Sequence, residues 1–301
     1  MTVRLGTRGS ALALAQAKMV REAMVGANPG IVIEIVEITT SGDRIQDVPL
    51  TPALGQSFFT KELEDALLDG RVDLAVHSSK DLASSMPAGL AMGAFLPRED
   101  PRDVLVSASG VGLAGLPEGA KLGTASVRRK SFLRHLRPDL DFLDLRGNVP
   151  TRLEKLRSGT YDAIVLAAAG LRRLGLGEHI TEHLDCAEVV PSGGQGAVGI
   201  QVREDDEATR AAVAAVNHVD TWWEITAERA CLHDLGAGCQ APVGVLARLR
   251  GGVMEVRGAV ASPAEVFRAV ESGRPEEAVA LGRAVAEGLL THPGVRSLVQ
   301  G

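Results

Sequence analysis

Aromatic side chains are almost missing from this chain: 6 Phe, 2 Trp and 1 Tyr make up 3% of its 301 residues. A surface that grips nucleic-acid strands by stacking bases on rings has too little material here. Cysteine is equally sparse. Cys186, Cys231 and Cys239 form no CxxC pair and leave an odd thiol. That excludes a disulfide framework and suits a reducing compartment. No apolar run reaches the ~18 residues of a membrane span. The stretch Ser10–Ala17 is short, broken by Gln16 and preceded by a strand-like run rather than a basic tail. It therefore reads as a helix of the fold, not as an export signal, and a cytoplasmic location is expected. Net positive charge is lacking too, since Lys+Arg 32 against Asp+Glu 38 leaves −6. A surface of that average sign repels a polyanion, so neither nucleic acid nor a membrane is an expected partner. A phosphate-cradling GxxxxGK[ST] loop is absent, and GQGAVG lacks the GxGxxG spacing.

What the chain does hold is arginine, 26 against only 6 Lys, inside a 45% hydrophobic sequence long enough for two or three domains. Arginine is the side chain suited to bidentate recognition of carboxylate or phosphate. Most of the chain alternates short β-branched runs with amphipathic helical stretches, the pattern of α/β layers on a largely parallel sheet. Strands are predicted at Val3–Thr7, Ile31–Thr39, Val72–Ser78, Ala120–Thr124, Asp141–Leu145 and Asp162–Ala168. The segments Leu63–Val76 and Leu153–Val165 share a helix, a terminal Gly, two spacer residues, an Asp and an apolar strand, with one residue gapped. That pattern fits any helix-to-strand turn and fits equally a duplicated α/β lobe. Chain crossings are expected near residue 98 and in the glycine-rich run Pro191–Val202. After Asn217 the pattern changes to a helix, a hairpin turning at Gly251–Gly252, and a last helix over about Pro275–Leu290.

Open α/β sheets bind ligands beyond the carboxyl ends of their strands. Five predicted strands are followed there by donors: Arg8 and Ser10; His77, Ser78 and Lys80; Thr124, Ser126, Arg128 and Arg129; Arg146 and Arg152; and Arg172 with Arg173. One arginine is usually a solvated surface residue, but five placements at strand ends point to a multiply charged anion. A polycarboxylate fits better than a nucleotide. Asp81 sits among these donors, either as a capping or ion-pairing group or as a carboxylate that stabilises a cation or moves a proton. Cys239 lies on a glycine-rich loop, Leu235–Gly244, a better place for covalent chemistry than the core. Cys231, His233 and Cys239 match no standard zinc spacing, and no metal is expected.

Ten segments together resemble the porphobilinogen deaminase (hydroxymethylbilane synthase) family: GTRGSALALAQA, TSGDR, FTKELEDALL, DLAVHSSKDL, PREDPRD, LGTASVRRK, LRGNVPTRLEKL, AAAGLRRLG, GQGAVGI and AERACLHDLGAGCQAPVG. They occur in family order over essentially the whole chain. The resemblance implies an α/β fold of two similar periplasmic-binding-protein-like lobes with mixed, mostly parallel sheets, plus a smaller α+β C-terminal domain. Expected boundaries are 1–97 with 198–216, then 98–197, then 217–301. It implies a transferase that joins four porphobilinogen units head to tail with loss of ammonia and then hydrolyses off a linear tetrapyrrole. A covalent dipyrromethane cofactor, one per chain, is implied on Cys239 through a thioether, and the chain is expected to be a monomer.

By the same matching, Asp81 is the catalytic carboxylate, stabilising positive charge on pyrrole nitrogens and on the methylene-pyrrolenine formed when ammonia leaves. The cofactor-binding set is Cys239, Lys80, Asp81, Thr124, Ser126, Arg128, Arg129 and Arg146. The substrate-binding set is Arg8, Ser10, Ser78, Arg146, Arg152, Arg173 and Gln195, with Arg172 left on the surface. Two positions depart from the family pattern: Gln56, where a Lys is usual, and Asp234, an acid near an anion site. The rival reading is a non-catalytic two-lobed protein that binds a multiply charged anion. Such a binder has no use for Cys239 on its loop or for Asp81 among arginines, so the enzyme is expected.

Overall fold

The computed structural model describes residues 1–40, 60–238 and 241–300. Contacts divide the chain into two compact units, residues 1–99 with 197–222 and residues 100–196 with 223–301.

In the first unit, β1 (Thr2–Thr7) buries Val3 and Leu5 and leads into α1 (Ala11–Ala27). Ser10 caps that helix, its side chain accepting from the Ala13 N–H at 3.3 Å, which satisfies one of the orphan donors of the first turn. Asn28 closes the other end by donating its backbone N–H to the Met24 carbonyl. The buried face of α1, with Ala17, Val20 and Met24, joins Val3, Leu5, Leu74, Val76, Ile200 and Val202 in one core. Strands β2 (Val32–Glu37), β3 (Leu74–Ser78) and β4 (Leu90–Phe95) complete the sheet with β10 (Val198–Arg203), in the order β2-β1-β3-β10-β4. β1 runs parallel to both β2 and β3, whereas β10 is antiparallel to β3 and β4. Helix α2 (Lys61–Leu68) precedes β3.

The second unit repeats this order with its own strands: β5 (Asp103–Ser107), β6 (Lys121–Gly123), β7 (Asp141–Leu143), β8 (Ala163–Ala167) and β9 (Glu182–His183) run β7-β6-β8-β5-β9. β6 is parallel to β7 and β8, and β5 is antiparallel to β8. Helix α3 (Val127–Leu136) follows β6, α4 (Val149–Arg157) precedes β8, and α5 (Ala168–Arg173) follows it. The two sequence segments of shared pattern are the α2–β3 and α4–β8 connections, which hold the same place in the two sheet orders. In each sheet one antiparallel strand interrupts the parallel set: β10 in the first, β5 in the second. Helix α6 (Glu207–Ala214) lies against β4 and β10 in the first unit.

The C-terminal part is an antiparallel meander of β11 (Val243–Arg250), β12 (Val253–Ala261) and β13 (Val266–Gly273), preceded by α7 (Val219–Leu235) and followed by α8 (Ala278–Leu290) and α9 (Pro293–Gln300). Gly251 and Gly252 turn the hairpin with φ of 56° and 80°, both in the left-handed region that L side chains avoid. The third strand is absent from the sequence expectation because β13 is an edge strand with much of its length exposed, which blurs its alternation. Leu246, Ala259 and Ala261 of the meander share a core with Leu105, Leu122, Phe132 and Leu133.

Gly282 sits in the middle of α8, where a Cβ would stand 2.2 Å from the Ala227 carbonyl oxygen of α7. Helix propensity alone makes alanine better than glycine by about 1 kcal/mol. The close approach reverses the sign: Gly282→Ala is expected to destabilise by roughly 1–3 kcal/mol, read as a lower urea midpoint. An equal or higher midpoint contradicts this helix contact.

Candidate active site

Because β1 and β3 are parallel neighbours, their carboxyl ends bring Arg8, Ser10 and the Ser78–Asp81 segment to one edge of the first sheet. Ser78 Oγ is held by the buried Gln16 side chain, 2.9 Å from Nε2 and 3.2 Å from Oε1. One residue earlier His77 is buried, with Nε2 2.9 Å from Gln201 Oε1 on β10. Burial, with a smaller push from Arg8, lowers the His77 pKa to about 4 against the opposing Gln201 bond. The ring is therefore neutral near pH 7 and donates its Nε2–H to the amide oxygen. After Ser78 the chain makes a single 3₁₀ turn, Ser79–Asp81, fixed by Ser79 N–H donating to the Ala197 carbonyl at 3.0 Å. Lys80 and Asp81 are half-buried on this turn. The Asp81 side chain makes no hydrogen bond or ion pair with another described residue.

The parallel strands of the second unit likewise deliver Thr124, Ser126, Arg146 and, at the end of α5, Arg173 to one edge. Buried Thr124 accepts from Ser126 N–H through Oγ1 at 3.3 Å, and Ser126 caps α3 by accepting from Arg129 N–H at 3.4 Å. The cap places Arg128 and Arg129 in the first turn of α3, where both are buried. Their partner is Asp103, the first residue of β5. As β5 is antiparallel to β8, with Asp103 paired to Ala167, this strand starts at the edge where its neighbours end. Arg129 donates to Asp103 Oδ1 from Nε at 3.0 Å and Nη2 at 2.7 Å, and Arg128 Nη1 lies 2.7 Å from Oδ2. Gln195, 1% exposed, donates Nε2 to Oδ1 at 2.9 Å and to the Pro101 carbonyl at 2.7 Å. Burial works to raise the Asp103 pKa, but Arg128 and Arg129 outweigh it and hold the carboxyl well below the usual range.

A further guanidinium lies close to this pair. Arg152 donates Nε to the Gly147 carbonyl at 2.7 Å, and burial, followed by the like charges of Arg129 and Arg146, pushes its guanidinium down to about 10. Such a group gains from any anion placed beside it. Arg173 Nη2 donates to the Gly196 carbonyl at 2.6 Å.

The expected site residues thus form two groups, each on its own sheet edge: Arg8, Ser10, Ser78, Lys80 and Asp81; and Thr124, Ser126, Arg128, Arg129, Arg146, Arg152, Arg173 and Gln195. Cys239 and Gln56 lie outside the described residues. Of the other cysteines, burial pushes the Cys231 thiol up to about 12 and also raises that of half-buried Cys186, which leaves both poor nucleophiles. Arg172 is exposed and pairs with Asp100 at 3.3 Å. Asp234 faces Arg283 of α8 at 3.5 Å and His233 at 2.9 Å, which accounts for an acid at that position. The sequence reading missed Asp103, Gln16 and Gln201. Gln16 had a signal, a polar residue interrupting an apolar helical face. Asp103 stands in the PREDPRD segment but not after a strand, so a search of carboxyl ends passes over it. Among the described residues no group of three or more His, Cys, Asp or Glu side chains could hold a metal ion, and no helix is long and apolar enough to cross a membrane.

Two family models match this chain. One is described as porphobilinogen deaminase, dipyromethane cofactor binding domain, over residues 3–211, and the other as porphobilinogen deaminase, C-terminal domain, over residues 222–291. A porphobilinogen deaminase of Syntrophobacter fumaroxidans is 47% identical over 300 residues, covering 99% of this chain and 97% of that protein. One from Roseiflexus sp. strain RS-1 is 48% identical over 301 residues, covering 100% and 99%. Among solved structures, the methionine binding protein MetQ aligns with a TM-score of 0.45 at 13% identity, over 71% of this chain and 89% of that one.

The buried neutral His77 makes stability depend on pH with a definite sign. Its pKa is lower in the fold than in the unfolded chain, so its contribution is complete above about 6.5 and is lost as pH falls towards 4. Relative to His77→Gln, the parent is expected to lose about 2 kcal/mol of unfolding free energy between about pH 7 and about pH 5. Paired urea melts measure this, and a difference that does not vary with pH contradicts a neutral buried ring.

Proposed function

The chain belongs to the porphobilinogen deaminase family, and on that premise we propose which of its residues carry the reaction. The activity is that of a hydroxymethylbilane synthase in tetrapyrrole biosynthesis, a transferase. Four porphobilinogen units are joined head to tail, ammonia leaves at each joining, and hydrolysis frees the linear tetrapyrrole.

The observation that carries the assignment of residues is the cluster of largely buried arginines on the second sheet edge. Arg152 stands beside Arg129 and Arg146, with its guanidinium pushed down to about 10. Each pyrrole unit bears an acetate and a propionate, and a cluster of this sign suits them. The dipyrromethane cofactor fits the same donor set, and Cys239 would hold it by a thioether, with Lys80, Asp81, Thr124, Ser126, Arg128, Arg129 and Arg146 around it. When bound, it supplies the pyrrole carbon from which the chain is extended. Raised pKa values at Cys186 and Cys231 favour Cys239 as the attachment point.

Arg8, Ser10, Ser78, Arg146, Arg152, Arg173 and Gln195 would orient porphobilinogen through its carboxylates and polar groups. Gln16 would hold the Ser78 hydroxyl in place. Asp81 has the chemistry for the departure of ammonia. A carboxylate with no ion-pair partner among the described residues is available to a pyrrole N–H and to the cation left on the substrate. The arginines neutralise substrate carboxylates and so keep them from competing for that cation. Tethering the growing chain turns each addition into a reaction at high local concentration.

The same proposal takes the chain as a cytoplasmic monomer without nucleic-acid or membrane partners; its cysteine usage supports the location, its net charge of −6 the lack of a polyanionic partner, and the family resemblance the monomer. It also divides the chain into 1–97 with 198–216, 98–197, and 217–301. Asp81→Asn is expected to lower turnover by about 10²–10⁴-fold while the half-saturating porphobilinogen concentration changes less than about threefold. Steady-state kinetics check this, and near-parent turnover contradicts the role given to Asp81.

A further inference from the structure

We infer that Asp103 is a positioning residue of the anion site, a role that rests on reading Arg128 and Arg129 as carboxylate binders. Asp103 is 1% exposed and its two oxygens serve two guanidinium groups and one amide. A buried ion pair is weak evidence of a stabilising role, because the desolvation cost can exceed the attraction. The arrangement here does something more specific. Of the five N–H bonds of Arg129, three are committed: Nε and Nη2 to Asp103 Oδ1, and Nη1 to the Val165 carbonyl at 3.0 Å. Contacts on two sides fix the plane of that guanidinium. Arg128 donates Nη1 to the Val190 carbonyl at 2.7 Å and holds it 2.7 Å from Asp103 Oδ2 as an ion pair, while its Nε and Nη2 make no hydrogen bond with another described residue.

Charge supplies the second reason. Arg129 lies close enough to Arg152 to lower its pKa, and Arg146 acts on Arg152 in the same way. Three like charges at one edge repel, and without a counter-charge behind it Arg129 would swing away from Arg152. Asp103 opposes that movement. Gln195 braces Oδ1 through the Pro101 carbonyl, two residues before Asp103, which ties the strand start to the carboxylate it presents. One carboxylate against Arg128 and Arg129 still leaves a net positive charge, so Asp103 orders the cations without cancelling them.

This role makes a prediction of sign. Asp103→Asn removes a negative charge from an anion site, so a bystander charge would give tighter anion binding on mutation. A positioning residue gives weaker binding. The test uses full-length apo-protein titrated with porphobilinogen, and reads by denatured intact mass the fraction of chains that acquire a covalent pyrrole adduct. The half-saturating concentration for Asp103→Asn is expected to rise at least about tenfold, equivalent to the loss of one or two good hydrogen bonds. Arg129→Lys is expected to show a similar rise, and the double variant no more than about twofold beyond the worse single one, because both remove the same arrangement.

Thermal melts of each variant show that the measured chains are folded. An unchanged or lower half-saturating concentration in folded Asp103→Asn, with Arg129→Lys impaired, overturns the inference while leaving the arginine reading intact. Parent-like uptake by Arg129→Lys overturns the arginine reading itself. Should Asp103→Asn not fold, Gln195→Met decides. It keeps the carboxylate and removes one bond to it, and is expected to raise the half-saturating concentration about threefold; no rise overturns the inference.

Discussion

Guanidinium groups gathered at one sheet edge and held largely out of water are the constraint on which the rest of this site depends. A buried cation without enough counter-charge costs several kcal/mol, and a fold keeps it only where something else repays that cost. In the second unit Asp103 serves Arg128 and Arg129, while the neighbouring Arg152 is left among like charges. An anionic ligand bound there would complete the arrangement, and its binding energy would also be folding energy, because whatever binds only the native state stabilises it. Charge of this kind selects for carboxylates in number rather than for one shape. That suits a growing chain whose units repeat the same side chains.

Topology explains how so many donors reach one edge. Parallel strands bring their carboxyl ends and the following helix starts to the same side, and the caps at Ser10 and Ser126 fix those starts. The antiparallel member of each sheet adds what a purely parallel sheet does not provide there, the residue at a strand's beginning. Asp103 enters the second edge in that way. In the first unit β10 runs beside β3 in the reverse direction, and Gln201 on it reaches His77 directly before the Ser78–Asp81 segment. Both antiparallel strands therefore place a buried polar side chain behind the donors gathered at their sheet edge.

Most of the architecture was legible in the sequence. Period-two runs, glycine stops and a Gly-Gly turn mark elements whose local preference and final position agree. The strands that escaped were β4, β5, β9, β10 and β13. Some are short, and β13 is exposed at an edge, so neither composition nor alternation announces it. Donors that follow strands were legible by asking what stands at strand ends. Asp103 and Gln201 were not, since they act from antiparallel strands, and strand direction is a property of tertiary pairing. Gln195 donates its amide to Asp103 and to the Pro101 carbonyl, bonds no spacing in the sequence could reveal. Asp234, an oddity in sequence, is ordinary in three dimensions once Arg283 stands opposite.

The central claim is that this chain carries a primer built from its own substrate and fixed to Cys239. The denatured intact mass of the purified protein tests it most directly. The account predicts an excess over the chain mass equal to two porphobilinogen units less two molecules of ammonia, retained after unfolding and mapping to the peptide that contains Cys239. An adduct on Cys186 or Cys231, or a bare chain that stays bare after incubation with porphobilinogen, would contradict it.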